Sequence, residues 1–272
     1  MKITNKNNLP EPLVGACAWH APVKDRYSVT ELVGPPMVAR LRREHWDEIE
    51  EDVSDRLWAI MGSAMHGVLA EHGTPNSLTE EKLVIKRTVD GREITIAGKP
   101  DTYDENGIIS DWKFTSVYMH GEEVKPEWRN QLNMYALMIE EHGFLVNGLQ
   151  IVTIYRDWSR RHAEQGVPHA EVIPIMLVDK GQQAEYLDKR LKVHMAETPA
   201  PCTPDERWAR PDTWAVMKKG KKSALRVLKS EAEAEAWMKN KSGDNIEYRV
   251  GEDIRCQGYC PVKQFCEYGR TK

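Results

Sequence analysis

No stretch of this 272-residue chain holds eighteen consecutive apolar residues, so no segment has the length to cross a bilayer as a helix. The opening Met1-Lys2-Ile3-Thr4-Asn5-Lys6 is polar and lacks the apolar stretch of a secretory signal; the expected compartment is the cytoplasm, with no membrane partner. An excess of positive charge is missing too. The 38 basic residues face 42 acidic ones, for a net charge of −4, which excludes binding to nucleic acid through bulk basicity and leaves only local patches for phosphate. One such patch, Lys218, Lys219, Lys221, Lys222, Arg226 and Lys229, lies in an acid-free stretch and reads equally well as a solvated basic strand and turn. Cysteine is scarce: the five residues (17, 202, 256, 260 and 266), in a reducing compartment, argue against a disulfide framework and for a metal site. Internal repeats and low-complexity tracts are absent. What remains, 40% hydrophobic and 29% charged residues, is the profile of an ordinary globular protein long enough for one large domain or a core with an appendage.

Residues 1–27 show no clear period and are expected to form an irregular arm. Ser28-Val29-Thr30-Glu31 has the spacing of a capping box, although Pro35-Pro36 soon interrupts the helix it would start and can open the next, Met37 to about Trp46. A second amphipathic helix is predicted over 53–72, with Leu57, Ile60, Ala64, Val68 and Leu69 on one face and a stop at Gly73. Strands follow over 80–88, 93–103 and 108–113, punctuated by the turn signals Asp90-Gly91 and Glu105-Asn106-Gly107. Beyond them come a helix over 126–142, strands over 150–158 and 171–178, and a long amphipathic helix over 179–197. After Thr198-Pro199-Ala200-Pro201 the composition shifts to a β-β-α-β pattern bracketed by cysteines. The expected organisation is therefore an arm (1–27), a core (28–200) and a small C-terminal subdomain (201–272).

Four short stretches carry chemistry. In Asp111-Trp112-Lys113 the period of two along a strand puts Asp111 and Lys113 on one face and the Trp112 side chain on the other. Asp101 lies on the preceding strand across a short turn, close enough to share a divalent cation with Asp111. The Trp112 carbonyl offers a further oxygen ligand. Mg²⁺ and Mn²⁺ prefer such oxygen donors, and a neighbouring ammonium, Lys113, orients an attacking water and offsets charge on a phosphate. His66, on the helix before the sheet, adds a nitrogen ligand that suits Mn²⁺ better than Mg²⁺. Gln131 and Tyr135 lie four apart on the next helix and share a face. Taken singly, an Asp-x-Lys is more often a surface ion pair and a helical His more often structural. Glu71, beyond His66, either faces the same site or is a solvated helix end.

The order of these motifs is what distinguishes them. A helix with Gly62-x-x-x-His66, a strand with Gly98-x-x-Asp101, a strand with Asp111-x-Lys113 and a helix with Gln131-x-x-x-Tyr135 resembles the RecB-type branch of the PD-(D/E)XK nuclease superfamily, over roughly residues 28–178. The resemblance implies an α/β fold with a restriction-endonuclease-like core, a mixed β-sheet flanked by helices, and a small C-terminal β-β-α subdomain. It implies His66, Asp101 and Asp111 as ligands of Mg²⁺ or Mn²⁺, Lys113 as the catalytic lysine, and Gln131 and Tyr135 as motif residues. The implied activity is a metal-dependent DNA exonuclease acting on duplex ends or single strands. Similar enzymes serve recombination, end resection, phage DNA processing or CRISPR spacer acquisition. A stand-alone chain without a helicase fits a phage-type recombination exonuclease, whose class implies a single-strand annealing protein as partner. The alternatives are a site-specific endonuclease, for which no separate target-recognition domain is evident, and a DNA-end-binding module without catalysis.

Cys256-x3-Cys260-x5-Cys266 places three thiols in one short loop, a costly arrangement unless a soft metal binds them; three incidental buried cysteines are the alternative. RecB-type nucleases often carry such a C-terminal trio, which binds a 4Fe-4S cluster with a fourth cysteine from the N-terminal side. This chain departs twice: its first gap has three intervening residues where two are usual, and Gly34 to Arg40, where the fourth cysteine is expected, contains none. Cys202, at the start of the C-terminal subdomain, is the preferred fourth ligand and Cys17 the alternative. Zn²⁺ is the alternative to the cluster, and in either case the role is structural.

Overall fold

A computed structural model describes residues 1–17, 20–241 and 243–272 of the chain. It divides into two units, Met1–Ala200 and Pro201–Lys272. In chain order the first carries β1 (Lys2–Thr4), α1 (Glu11–Gly15), β2 (Arg26–Ser28), α2 (Val29–Val33), α3 (Pro36–Glu44), β3 (Glu50–Asp52) and α4 (Leu57–Ala70). Then come β4 (Leu78–Thr79), β5 (Leu83–Val89), β6 (Arg92–Gly98), β7 (Thr102–Tyr103) and β8 (Ile108–Thr115). The unit finishes with α5 (Pro126–Glu141), β9 (Gly148–Tyr155), α6 (Arg160–Glu164), β10 (Ala170–Ile175) and α7 (Lys180–Met195).

Two mixed sheets result. One has the order β10-β9-β8-β7-β4, antiparallel except for the parallel pair β8–β9; the other has the order β2-β6-β5, with β2 parallel and β5 antiparallel to β6. The single strand expected over 93–103 is broken. β6 ends at Gly98 and β7 resumes at Thr102 in the other sheet, because Pro100 has no N–H to extend a ladder and the corner 99–101 carries the chain across. The parallel step from β8 to β9 requires a crossover, which α5 supplies. Every residue of α5 from Leu132 to Ile139 is buried, and the helix is covered by α2, α7, β5, β8 and β9, as an element apolar on all sides must be. Buried Asn133 is the polar exception. Its amide donates to the Arg129 and Met176 carbonyls and its oxygen accepts from the Val178 N–H, tying the chain after β10 to the helix.

Two further expectations need correction. The segment 1–27 is not irregular throughout. β1 runs parallel to β3, and Asp52 secures the pair by accepting from Thr4 Oγ1 and the Lys6 N–H, both at 2.9 Å. Strands of three residues are too short to reveal a period. The helix expected over 53–72 begins as a 3-10 turn at Val53–Arg56, and no residue of α4 is buried; Val68 and Ala64 are exposed. Its apolar residues lie on all sides, so their spacing does not select one face for the core.

The second unit carries β11 (Ala209–Arg210), β12 (Thr213–Met217), β13 (Arg226–Leu228), α8 (Glu231–Asn240), β14 (Asn245–Arg249), β15 (Glu252–Asp253) and α9 (Ile254–Gly258). An antiparallel sheet of order β13-β12-β14 packs on α8 around buried Ala215, Val216 and Ala234. At the β12–β13 turn Gly220 takes φ +82°, a conformation glycine adopts without a Cβ penalty, and exposes Lys219, Lys221 and Lys222. Among the described residues no helix is long and apolar enough to cross a membrane. The fold is mixed α/β.

Candidate functional site

One cavity of about 630 Å³ in the first unit collects residues from six separate stretches. α4 contributes Ser63 and His66, the β6–β7 corner Gly98, Lys99 and Asp101, β8 Asp111 and Lys113, and α5 Gln131 and Tyr135. Glu80 and Lys82, between β4 and β5, and the stretch 28–30 complete the lining. Gly98 permits this convergence. A Cβ there would lie 2.7 Å from Met138 Sδ and 3.0 Å from both Tyr135 and Val29, so the missing side chain lets α5 and α2 close onto the strand end without displacing these three. Glu71 is exposed at the end of α4 and does not line the cavity.

The register explains how the carboxylates meet. Thr102 pairs with Ser110 and Tyr103 with Ile109, and the next antiparallel step brings Asp101 opposite Asp111. Asp101 Oδ2 accepts from the Trp112 N–H at 2.7 Å, which fixes its carboxylate across the strand. Asp111, 2% exposed, has the Lys113 ammonium 2.5 Å from Oδ2, yet neither carboxylate oxygen accepts a well-formed hydrogen bond. Burial pushes its carboxyl above the ordinary carboxylate range, Lys113 pulls it back, and the charge on Asp101 raises it again. Lys113 Nζ donates to Gln131 Oε1 at 3.3 Å, and Gln131 Nε2 donates to the Tyr135 hydroxyl at 3.0 Å. Burial pushes the Tyr135 phenol up to about 12, so it stays protonated at neutral pH.

His66 Nδ1 lies 3.1 Å from Asp101 Oδ1 and 3.7 Å from Glu80 Oε1. The hydrogen bond to Asp101 holds the imidazole above its usual pKa against the opposing effect of burial. Ligand atoms of His66, Glu80 and Asp101 all lie within 4.8 Å of one another, the grouping expected of a metal site. The close trio therefore contains Glu80 where the motif reading has Asp111; Asp111 shares the cavity but stands outside that cluster. Nothing in the sequence around Glu80 marks it, since it reads as the first residue of a strand. It is placed by tertiary pairing: Thr79 faces Thr102, and the Glu80 N–H donates to the Asp101 carbonyl at 3.1 Å.

In the second unit Cys260 and Cys266 are near enough to Cys202 and Cys256 to raise the pKa values of those two thiols electrostatically, and Cys266 does the same to Cys260. Burial is the larger cause, and it pushes the Cys202 thiol up to about 11. Asp253 knits the Cys202 segment to the tail. It accepts from Arg207 Nε at 2.9 Å and from the Tyr268 hydroxyl at 2.6 Å, while Arg207 also donates to the Cys202 carbonyl at 2.5 Å. Among the described residues no three of these sulfurs lie within 4.8 Å of one another. Cys17, in the first unit, is buried with its thiol 3.3 Å from the Leu13 carbonyl.

No family's sequence profile matches the chain, and no curated protein matches it. A solved structure, the crystal structure of SSO0001, shares its fold with a TM-score of 0.52 at 20% identity, covering 72% of this chain and 87% of that one.

Proposed function

We propose that this chain is a metal-dependent DNA exonuclease with a restriction-endonuclease-like core of the RecB type, hydrolysing phosphodiester bonds at DNA ends. The observation that carries the reading is the convergence of His66, Asp101, Asp111, Lys113, Gln131 and Tyr135, spread over seventy residues of sequence, on one open cavity. The residues fit a divalent cation: carboxylate oxygens are the preferred donors of Mg²⁺ and Mn²⁺, the single imidazole favours Mn²⁺ of the two, and the buried Asp111 oxygens lack well-formed hydrogen bonds, which leaves lone pairs for an ion to coordinate. His66, Asp101, Asp111 and the Trp112 carbonyl would hold Mg²⁺ or Mn²⁺, which would polarise water and neutralise charge developing at phosphorus.

The remaining work falls to the side chains. Lys113, held by Asp111 and Gln131, presents a positioned ammonium to the attacking water and to the scissile phosphate. Gln131 fixes that ammonium and is itself fixed by Tyr135, whose neutral hydroxyl adds no competing charge. In the second unit Cys202, Cys256, Cys260 and Cys266 would bind a structural 4Fe-4S cluster. Their present spacing is wider than a closed tetrahedral zinc site, where thiolates about 2.3 Å from the ion stand roughly 3.8 Å apart.

Asp111→Ala and Lys113→Ala are each expected to abolish Mn²⁺-dependent degradation of linear DNA while the far-UV spectrum and thermal melt stay native. Full activity in both variants overturns the site. Closed circular DNA is expected to survive; its cleavage would point to the endonuclease reading, and metal-dependent DNA binding without any cleavage to the end-binding module.

A further inference from the structure

Glu80 combines three properties that a surface carboxylate does not need together. Its backbone sits in the left-handed region, φ +54°, where a residue bearing a Cβ is strained and where strain clusters at functional positions. Its N–H is anchored to the Asp101 carbonyl, so the backbone that aims Glu80 is locked to the backbone of the neighbouring carboxylate. And its two carboxylate oxygens face different partners: Oε1 is turned to His66 at 3.7 Å, while Oε2 is ion-paired with the Lys99 ammonium. The Asp111 carboxylate, buried without a well-formed hydrogen bond, lines the same cavity.

Lys99 is an unusual companion for that group. Its side chain is 55% exposed against 22% for Glu80, it stands two residues before Asp101, and it lines the cavity together with Lys82. A lysine on the open side of a cluster of three carboxylates offsets their mutual repulsion, and it does so on a flexible stem that can swing away.

We propose that Glu80 is a ligand of the active-site cation and that Lys99 is its exchangeable partner. Cation binding takes Glu80 from Lys99 and leaves the Lys99 ammonium to a phosphate of the substrate. The metal and the phosphodiester are thus coupled through one side chain: Lys99 opposes the cation and favours the DNA. The phosphate half of this inference rests on the nuclease reading; the metal half does not.

Mn²⁺ titration followed by electron paramagnetic resonance, without DNA, tests the metal half. Glu80→Gln is expected to weaken Mn²⁺ binding about tenfold or more, the scale of losing a supporting ligand. Lys99→Ala is expected to tighten Mn²⁺ roughly threefold, as removal of a competing exposed ion pair would. The phosphate half is read by fluorescence anisotropy of a short labelled duplex in Mn²⁺ on Lys113→Ala protein, where adding Lys99→Ala should weaken binding. Opposite signs for metal and DNA are the signature, because a merely structural Lys99 would weaken both. Where Glu80→Gln does not fold, Glu80→Asn, which tolerates the left-handed backbone, replaces it. Mn²⁺ affinity within twofold of wild type in the folded Glu80 variant, or Lys99→Ala protein that fails to bind Mn²⁺ more tightly, overturns the proposal. Absence of DNA cleavage by the wild type, with the Mn²⁺ shifts intact, overturns the nuclease reading instead.

Discussion

A single missing Cβ sets how closely the elements around the cavity pack. Gly98 brings Met138, Tyr135 and Val29 within 3.0 Å of where a side chain would begin, and Tyr135 is the far end of the hydrogen-bonded chain that fixes Lys113. Gly98→Ala forces these groups apart in a packed core, a change that costs about 1–3 kcal/mol. Urea unfolding should register that loss. Cleavage should fall further than stability accounts for, because displacement of Tyr135 moves Gln131 and with it the ammonium. Gln131→Ala, which leaves the core untouched but frees Lys113, should lower kcat with little change in unfolding midpoint; an unchanged kcat would show that Gln131 does not hold the lysine in place.

Between elements, α7 is fastened to the end of α2. Arg190 Nε donates to the Leu32 carbonyl at 2.6 Å and its Nη2 to the Gly34 carbonyl at 2.5 Å, satisfying carbonyls at the helix end. His194, one turn on and 5% exposed, has Nε2 3.2 Å from the Leu32 carbonyl and packs edge-on against Tyr27. Burial, reinforced by the Arg190 charge, lowers its pKa from 6.5 to about 4. The unfolded chain therefore takes up a proton that the folded one refuses as pH falls from 6.5 towards 4, and stability drops over that window by about 1.4 kcal/mol per pH unit. Above the unfolded value the contribution is constant. Urea unfolding at about pH 7.5 and 5.0 should show a loss on the order of 2 kcal/mol, and His194→Gln should flatten that part of the slope. An unchanged slope would mean that His194 protonates without cost.

At the scale of the molecule the two units face different stability problems. The first has an extensive core around α5. The second spans only Pro201–Lys272, and its described buried apolar residues are small: Ala215, Val216, Ala234, Cys256 and Val262. A unit of that size with so little apolar burial needs a staple. Anaerobically purified protein is expected to absorb at about 400 nm if the cysteines hold an iron–sulfur cluster, and to carry zinc without that band otherwise. Cys260→Ser should release the metal and lower the melting temperature of the second unit. Mn²⁺ binding should be untouched, since every proposed ligand of that ion lies within Met1–Ala200. A Cys260→Ser protein that melts like the wild type would remove the cysteines from any structural role.

What the sequence determined by itself is what depends on local periodicity and on chemistry named by residue type. The step of two in Asp111-Trp112-Lys113, the helical spacing of Gln131 and Tyr135, the β-β-α-β order of 201–272 and the crowding of three cysteines in the tail could all be read along the chain. Tertiary structure decided the rest, because it depends on what a residue is brought against. Pro100 divides one expected strand between two sheets; three-residue strands tie down the first residues of the chain; α4, apolar on every side, leaves no face fully buried. Glu80 belongs to this second class. Its neighbours in sequence say nothing of a ligand, and only a strand pairing, a left-handed backbone and a hydrogen bond to a residue twenty-one positions away set its carboxylate beside His66 and Asp101.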